Sequence, residues 1–225
     1  MSKLVLFDFD GTLADTAPDL AAAANKARAR KGLAPLPYET LRPMASQGAR
    51  GLLKAGLDID PGHPEYEVLK RQFLDDYEQD MTSLTVLFDG IPQLLATLRQ
   101  NGYRWGIVTN KVEYLALPIV QHLGLAADCT VTVGGDTASH PKPHPAPLLY
   151  AADKAGFTPE QCIYVGDDER DVIAGKAAGM PTIAAAYGYC GLGEVSSWQA
   201  DAIARTPAEI WHAVQRLLPV DCAPA

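Results

Sequence analysis

The first residues of this chain that could do chemistry are two aspartates near its N-terminus, Asp8 and Asp10. They follow a continuous apolar run, residues 4–7, and precede Gly11, a pattern that predicts a buried strand of a parallel sheet. Open parallel sheets bind their ligands at the carboxyl ends of their strands. Two carboxylates crowded there are costly unless a cation or a shared proton relieves their repulsion. The pair therefore indicates a metal site or an acid–base pair, against the alternative of two loop carboxylates without a function.

Two further stretches place polar groups at strand ends or in stiffened loops. Thr109, Asn110 and Lys111 end a predicted strand that begins near Trp105, and they supply a hydroxyl, an amide and a cation. A helix-capping turn is the alternative reading of these three residues. Lys142 lies between two prolines that stiffen the backbone around its ammonium group, which favours a functional role over a solvated surface lysine.

A third stretch is acidic and lies where a predicted strand over residues 162–165 gives way to a helix. Its aspartates are Asp167, Asp168 and Asp171. The helix dipole favours acidic residues in a first turn, so capping explains part of the cluster. Asp167, however, lies at the strand end as Asp8 does, and three aspartates in five residues exceed what capping needs.

The segments between these residues alternate between strand and helix patterns. This predicts an α/β fold, with a Rossmann-like parallel sheet and helices on both faces. The last predicted strand covers residues 182–186. Residues 16–88 interrupt the alternation with mostly helical patterns, in which Thr16 is the predicted N-cap and Asp19 follows three residues later. We therefore predict a sheet domain of residues 1–15 and 89–225, with residues 16–88 inserted as a second, helical domain.

The composition narrows the possible partners and compartments. The chain has 225 residues, and its 19 basic and 27 acidic side chains give a net charge of −8. This charge argues against a nucleic acid or an anionic membrane as the main partner. No apolar run approaches the length of a membrane span, and the N-terminus has no signal-peptide pattern. The four cysteines are far apart without zinc-type spacing, so we expect a cytoplasmic protein with reduced thiols.

Taken together, the four stretches resemble the motifs of the haloacid dehalogenase superfamily of phosphohydrolases in order, separation and placement. The first motif, Asp-x-Asp-Gly-Thr, corresponds to residues 8–12, and the second, a strand-end Ser or Thr, to Thr109. The third, a Lys followed by Pro, corresponds to Lys142, and the fourth, Gly-Asp-x-x-x-Asp, to residues 166–171. The resemblance spans nearly the whole chain and implies that residues 16–88 are an inserted α-helical cap domain over a Rossmann-like phosphatase core.

The resemblance implies a magnesium-dependent phosphomonoester hydrolase that acts through an aspartyl-phosphate. Asp8 would be the nucleophile, and Asp10 the general acid and then the general base. Mg²⁺ would be held by the carboxylates of Asp8 and Asp167 and by the main-chain carbonyl of Asp10. Thr109 and Asn110 would hold phosphate oxygens, and Lys142 would offset the charge that develops on the phosphoryl group and Asp8. Asp171 would orient the metal ligands or Lys142, and Asp168 is the second candidate for this role.

Within the cap, the resemblance points to a substrate-reading loop that contains Ser46, Gln47 and Arg50. The Arg50 guanidinium suits a leaving group with a carboxylate, because the two groups pair in bidentate fashion. An exposed helix arginine is the alternative. Closure of such a cap excludes water from the site, and its predicted hinges are residues 15–17 and 88–90.

The resemblance extends to two groups of phosphatases that differ in substrate. Residues 108–111 and 142–145 look like the corresponding stretches of phosphoglycolate phosphatases. Residues 46–50 and 187–189 are also similar to N-acetylmuramic acid 6-phosphate phosphatases. Both substrates are small phosphorylated metabolites with a carboxylate, so Arg50 does not choose between them, and we place phosphoglycolate first. We expect a monomer or a homodimer.

Other classes of protein with the same motifs are alternatives. A dehalogenase would not need the second carboxylate, so Asp10 argues against it. A sugar phosphomutase would share all four motifs, and only product analysis separates it from a hydrolase. A phosphonate-cleaving enzyme would use a cap lysine as a Schiff base, for which Lys54 is available. A non-catalytic phosphate-binding protein is disfavoured because both the nucleophile and the acid–base residue are present.

Overall fold

A computed structural model describes residues 2–191 and 193–220. Its strands in chain order are β1 Lys3–Phe7, β2 Ala14–Asp15, β3 Val86–Leu87, β4 Tyr103–Val108, β5 Thr132–Val133, β6 Cys162–Gly166, β7 Thr182–Ala185 and β8 Ala202–Ala204. Its α-helices are α1 Ala17–Arg30, α2 Tyr38–Leu41, α3 Gly48–Leu57, α4 Tyr66–Asp80, α5 Ile91–Gln100, α6 Glu113–His122, α7 Ala146–Ala155, α8 Glu169–Ala177 and α9 Pro207–Leu217. Short 3-10 helices cover Arg42–Gln47, Pro159–Gln161 and Val195–Trp198. Within the described ranges, none of the helices is long and apolar enough to span a bilayer.

Six strands form a parallel sheet in the order β5-β4-β1-β6-β7-β8. β1 lies in the middle, and residues 4–7 are fully buried. A strand covered on both faces needs apolar side chains at every position, which explains the continuous apolar run. Val5 and Phe7 pack on one side with residues of α5, α6 and α9, whereas Leu4 and Leu6 pack on the other with residues of α7 and α8. The predicted Rossmann-like parallel sheet with helices on both faces is confirmed.

The sheet extends beyond the last strand that the sequence predicts. The strand predicted at residues 182–186 is β7, but β8 and α9 follow it, and Ala184 of β7 pairs with Ile203 of β8. With only three residues, β8 offers neither an apolar run nor a period long enough to detect. At the other edge, the sheet ends in β5, which has only two residues.

Four helices, α1 to α4, lie between β2 and β3. These two strands form an antiparallel ribbon in which Ala14 pairs with Leu87 and Asp15 with Val86. The ribbon joins the helices to the sheet, and α1 packs against α3 and α4. The predicted helical cap is therefore present as an insertion. The boundaries that separate residues 1–15 and 89–225 from residues 16–88 stay a prediction.

The start of α1 differs in detail from the predicted capping arrangement. Thr16 precedes the helix, but its side chain makes no capping hydrogen bond, so Thr16 and Asp19 do not form a capping box. Asp19 instead accepts hydrogen bonds from the main-chain N–H groups of Leu84 and Thr85 at 3.1 and 2.9 Å. A buried carboxylate must be hydrogen-bonded, and the chain that returns to β3 supplies the donors.

Candidate active site

The carboxyl ends of three neighbouring strands bring predicted site residues together. Asp8 follows β1, Thr109 follows β4 and Asp167 follows β6. Because β4 and β6 flank β1, the three residues lie at the same end of the sheet, where ligands of parallel sheets bind. The Asp8 main-chain N–H donates to the Val165 carbonyl at 2.8 Å, so the pairing between β1 and β6 continues as far as the first aspartate.

Lys142 places a buried ammonium group among the aspartates. Its Nζ lies 2.8 Å from Asp8 Oδ1 and 2.7 Å from Asp171 Oδ1, and it donates to the Tyr164 hydroxyl at 2.8 Å. Burial alone would lower the pKa of this ammonium group, but the charges of Asp171 and Asp8 outweigh burial, and the pKa is raised above its usual value. Lys142 is therefore a fixed positive charge at Asp8.

Asn110 holds the loop that carries Lys142. Its side-chain nitrogen donates to the Lys142 carbonyl and its side-chain oxygen accepts from the Lys142 N–H, both at 2.9 Å. The carboxamide of Asn110 thus bonds to the backbone of Lys142, and its contact with phosphate stays a prediction. The Thr109 oxygen accepts from the Lys111 N–H at 3.1 Å, and its hydroxyl proton has no acceptor among the described residues.

Three carboxylates form an acidic cluster that could hold a metal ion. One oxygen from each of Asp8, Asp167 and Asp171 lies within 4.8 Å of the others. Burial and the charges of Asp8 and Asp171 raise the pKa of Asp167 well above its usual value. Burial, together with the charge of Asp8 and against the opposing charge of Lys142, raises the pKa of Asp171 to about 7. A divalent cation relieves this repulsion, and hard cations prefer carboxylate oxygens, so the residues present fit a metal.

The Asp10 side chain lies outside this cluster. Its Oδ1 accepts a hydrogen bond from the Thr16 hydroxyl and lies 3.2 Å from the Lys111 Nζ. The prediction that the main-chain carbonyl of Asp10 contacts a metal stays a prediction. The Asp10 carboxylate is accordingly separate from the acidic cluster.

A cap residue and a core arginine meet above the acidic cluster. Ser46 Oγ lies 3.5 Å from Asp167 Oδ2, and the Ser46 carbonyl accepts from Arg170 Nη2 at 2.7 Å. Asp168 holds this arginine through Nε at 2.7 Å and Nη2 at 2.9 Å. Burial opposes ionisation of Asp168, but the hydrogen bonds and charge of Arg170 lower its pKa. Asp168 thus holds the guanidinium of Arg170 in place. The sequence motifs did not predict Arg170 as a site residue.

Tyr189 connects the acidic cluster with the start of the inserted helices. Its main-chain N–H donates to Asp167 Oδ2 at 2.8 Å. Its hydroxyl accepts from the N–H groups of Thr16 at 2.8 Å and Ala17 at 2.9 Å, and donates to Asp15 Oδ1 at 2.9 Å. The N-terminus of α1 is therefore capped by a tyrosine that lies 173 residues away in sequence.

A cavity of about 550 Å³ lies between the sheet and the inserted helices. All the predicted site residues except Asp167 line it: Asp8, Asp10, Ser46, Gln47, Arg50, Thr109, Asn110, Lys142, Asp168 and Asp171. Asp167 lies beneath the surface of the cavity and is fully buried. Lys111 and Tyr77 also line the cavity, although neither of them was assigned a role in the site from the sequence.

Lys54 is poorly suited to form a Schiff base. Its Nζ pairs with Asp58 Oδ1 at 2.6 Å and Asp60 Oδ2 at 2.7 Å on the surface. Hydrogen bonds to these two aspartates raise the pKa of the Lys54 amine. A nucleophilic lysine needs the opposite, a lowered pKa. The geometry therefore gives no support to the phosphonate-cleaving alternative.

Comparisons with known proteins agree with the motifs. Residues 5–185 match the model of the haloacid dehalogenase-like hydrolase family. A phosphoglycolate phosphatase of Xanthomonas campestris pv. campestris is 46% identical over 212 residues, which cover 93% of this chain and 95% of the relative. An N-acetylmuramic acid 6-phosphate phosphatase of Pseudomonas aeruginosa is 41% identical over 221 residues, covering 98% of this chain and 97% of the relative.

The fold is also similar to solved structures. The crystal structure of a "predicted phosphoglycolate phosphatase" from Haemophilus somnus 129PT superposes with a TM-score of 0.85 at 29% identity, covering 95% of this chain and 98% of that one. The strand-end motifs, the acidic cluster and these likenesses converge on one conclusion. The chain belongs to the haloacid dehalogenase-like hydrolase family, and within it the protein is a phosphatase.

Proposed function

We propose that this phosphatase hydrolyses phosphomonoesters in two steps through an aspartyl-phosphate on Asp8. The observation that carries the proposal is the position of the Asp8 carboxylate, which contacts the buried Lys142 ammonium and belongs to the Asp8–Asp167–Asp171 cluster. A nucleophilic carboxylate that attacks a phosphate dianion needs nearby positive charge. Lys142 supplies one such charge.

In the first step, an Asp8 oxygen attacks phosphorus, the bond from phosphorus to the ester oxygen breaks, and Asp10 gives its proton to the leaving oxygen. In the second step, Asp10 takes a proton from water as the water attacks phosphorus, and the bond to Asp8 breaks. Thr109 donates its hydroxyl proton to a phosphate oxygen. Lys142 offsets charge on the phosphoryl group and on Asp8.

We propose Mg²⁺ as the metal, with Asp8 and Asp167 as its carboxylate ligands. When bound, the ion supplies positive charge for the phosphoryl oxygens. Asp171 accepts from the Asp168 N–H at 3.1 Å and pairs with Lys142, so its proposed role is to orient Lys142 beside the ligands. This assignment gives the metal two carboxylates of the cluster, while Lys142 contacts both Asp171 and Asp8.

The proposed substrate is a small phosphorylated metabolite with a carboxylate, and 2-phosphoglycolate comes first because phosphoglycolate phosphatases are among the relatives. Arg50, with Gln47 and Ser46, lines the cap side of the cavity and is the proposed contact for that carboxylate. N-acetylmuramic acid 6-phosphate is a second candidate. A cavity of about 550 Å³ favours it, because a two-carbon acid would fill a minor part of this space.

Release of inorganic phosphate from the two esters, measured in parallel with Mg²⁺ present, tests the proposal. We expect one ester to have the higher kcat/KM and the Asp8→Asn variant to lose turnover of it. Asp153→Asn, at an exposed position of α7, is the matched control and should retain turnover. Release of inorganic phosphate and of the alcohol product in equal amounts distinguishes a hydrolase from a phosphomutase.

The possible failures have different meanings. If neither ester is hydrolysed but p-nitrophenyl phosphate is, both substrate assignments are wrong and the chemistry stands. If Asp8→Asn matches the parent protein on every ester, Asp8 is not the nucleophile. If turnover is unchanged after dialysis against EDTA, the proposed metal dependence is wrong.

A further inference from the structure

Lys111 is a buried cation that has no role in the proposed reaction. Its side chain is 8% exposed, and its Nζ lies 3.2 Å from Asp10 Oδ1. The hydrogen bond from its N–H to Thr109 Oγ1 and a second from Gly135 N–H to its carbonyl, at 2.8 Å, fix its backbone next to the second motif. The ammonium group is therefore held against Asp10 by the core.

The second partner of Lys111 comes from the inserted helices. Tyr77 lies on α4 and is 1% exposed. Lys111 Nζ donates to the Tyr77 hydroxyl at 3.0 Å and lies 4.4 Å from the centre of its ring, within the range of a cation–π interaction. One ammonium group thus contacts both a core carboxylate and a cap side chain.

Both donors to Asp10 act on the same oxygen. The Thr16 hydroxyl and the Lys111 ammonium contact Oδ1, and among the described residues no hydrogen bond to Oδ2 is found. Two contacts on one oxygen fix the rotation of the carboxylate. They leave Oδ2 as the atom that can exchange a proton with a ligand in the cavity, which Asp10 lines.

We propose that Lys111 and Tyr77 are a positioning pair that holds Asp10 for proton transfer at Oδ2. The inference rests on the proposed role of Asp10 as general acid. Because Tyr77 belongs to α4, the pair is complete only while the cap helix lies on the core. Neither residue transfers a proton itself, and both act through the orientation of Asp10.

The dependence of the rate on the leaving group tests this pair. Protonation matters for an alkyl ester, whose alkoxide leaves poorly, and little for p-nitrophenyl phosphate. General acid catalysis contributes roughly 10²- to 10⁴-fold, so we expect Lys111→Met to lower kcat/KM for an alkyl ester about tenfold more than for the aryl ester. Tyr77→Phe keeps the ring and loses the hydroxyl, and should change the ratio in the same direction by a smaller factor.

Two reference variants make the result specific. Lys70→Met removes a lysine of the same cavity whose Nζ pairs with Glu67 Oε2 at 3.9 Å rather than with Asp10, and it should leave the ratio between the esters unchanged. Asp10→Asn should show the largest selective loss on the alkyl ester.

The role of Asp10 and the role of its two partners can fail separately. If Asp10→Asn lacks ester selectivity, the proposed acid role fails, and the positioning role fails with it. If Asp10→Asn is selective but Lys111→Met and Tyr77→Phe lower kcat/KM equally for both esters, only the positioning pair is overturned. If Lys111→Met does not fold, Tyr77→Phe alone decides by the same ratio.

Discussion

Removal of one hydroxyl group should destabilise the junction between the sheet and the inserted helices. Tyr189 is buried, and its hydroxyl accepts from the N–H groups of Thr16 and Ala17 while it donates to Asp15. The change Tyr189→Phe removes this oxygen and preserves the ring. It leaves the first N–H groups of α1 without the acceptor that replaces a side-chain cap.

The size of the effect follows from the number of bonds lost. A buried donor without a partner costs about 1–3 kcal/mol, and loss of an N-cap costs about 0.5–2 kcal/mol. These two free-energy costs concern the same N–H groups and are therefore not additive. With two donors affected and Asp15 only half-buried, we expect the free energy of unfolding to fall by about 2–4 kcal/mol on these scales.

Urea unfolding at 25 °C, followed by circular dichroism, measures this change for the parent protein and each variant. Tyr150→Phe is the matched control, because Tyr150 is 38% exposed on α7, and surface changes usually stay within about 0.5 kcal/mol. Tyr187→Phe is an intermediate case, since its hydroxyl donates one hydrogen bond, to the Thr12 carbonyl at 2.7 Å. A Tyr189→Phe effect no larger than that of Tyr150→Phe, at equal m-values, would refute the capping role.

Three further predictions concern the charges of the protein. Lys142→Met should reduce turnover at least about 10²-fold, as measured by phosphate release. Metal-free protein should lose stability as the pH rises from about 4 to about 7. In the folded state the pKa of Asp171 is about 7 and the pKa of Asp167 is well above its usual value. Both groups therefore hold protons that the unfolded chain releases at lower pH. Saturating Mg²⁺ should flatten this decline in urea titrations, and an unchanged pH dependence would contradict the metal assignment. Lys54→Ala should leave turnover within about twofold, because surface changes are usually small in effect, and borohydride should not trap a substrate on Lys54.

The sequence predicts the positions of the strand-end residues well because one rule of parallel sheets places them. Asp8, Thr109 and Asp167 each follow a strand, so assignment of β1, β4 and β6 is enough to bring them together. Local patterns of apolar residues carry that information. The helical insertion is predicted for the same reason, since the alternation of strand and helix patterns is interrupted.

The partners of these residues are harder to predict because they depend on contacts between distant parts of the chain. Lys111 belongs to a predicted motif, but its contact with Tyr77 depends on how α4 packs on the core. Thr16 looks like an N-cap in sequence, yet Asp10 binds its hydroxyl and Tyr189 takes over the cap. The hydrogen bonds between the Asn110 carboxamide and the Lys142 backbone depend on the fold of the Lys142 loop. No local pattern encodes these choices.

The ribbon of β2 and β3 makes the inserted helices exchangeable during evolution. The segments before and after the inserted helices meet in this ribbon, where Asp15 and Val86 are paired neighbours. The six strands of the parallel sheet lie in residues 3–7 and 103–204, outside the insertion. An insertion of different length can therefore be accommodated between the two ribbon strands while the hydrogen bonds of the sheet stay intact. Mutation and recombination can alter the helices that line the cavity, and with them the range of esters accepted, while Asp8 and its neighbours stay in place.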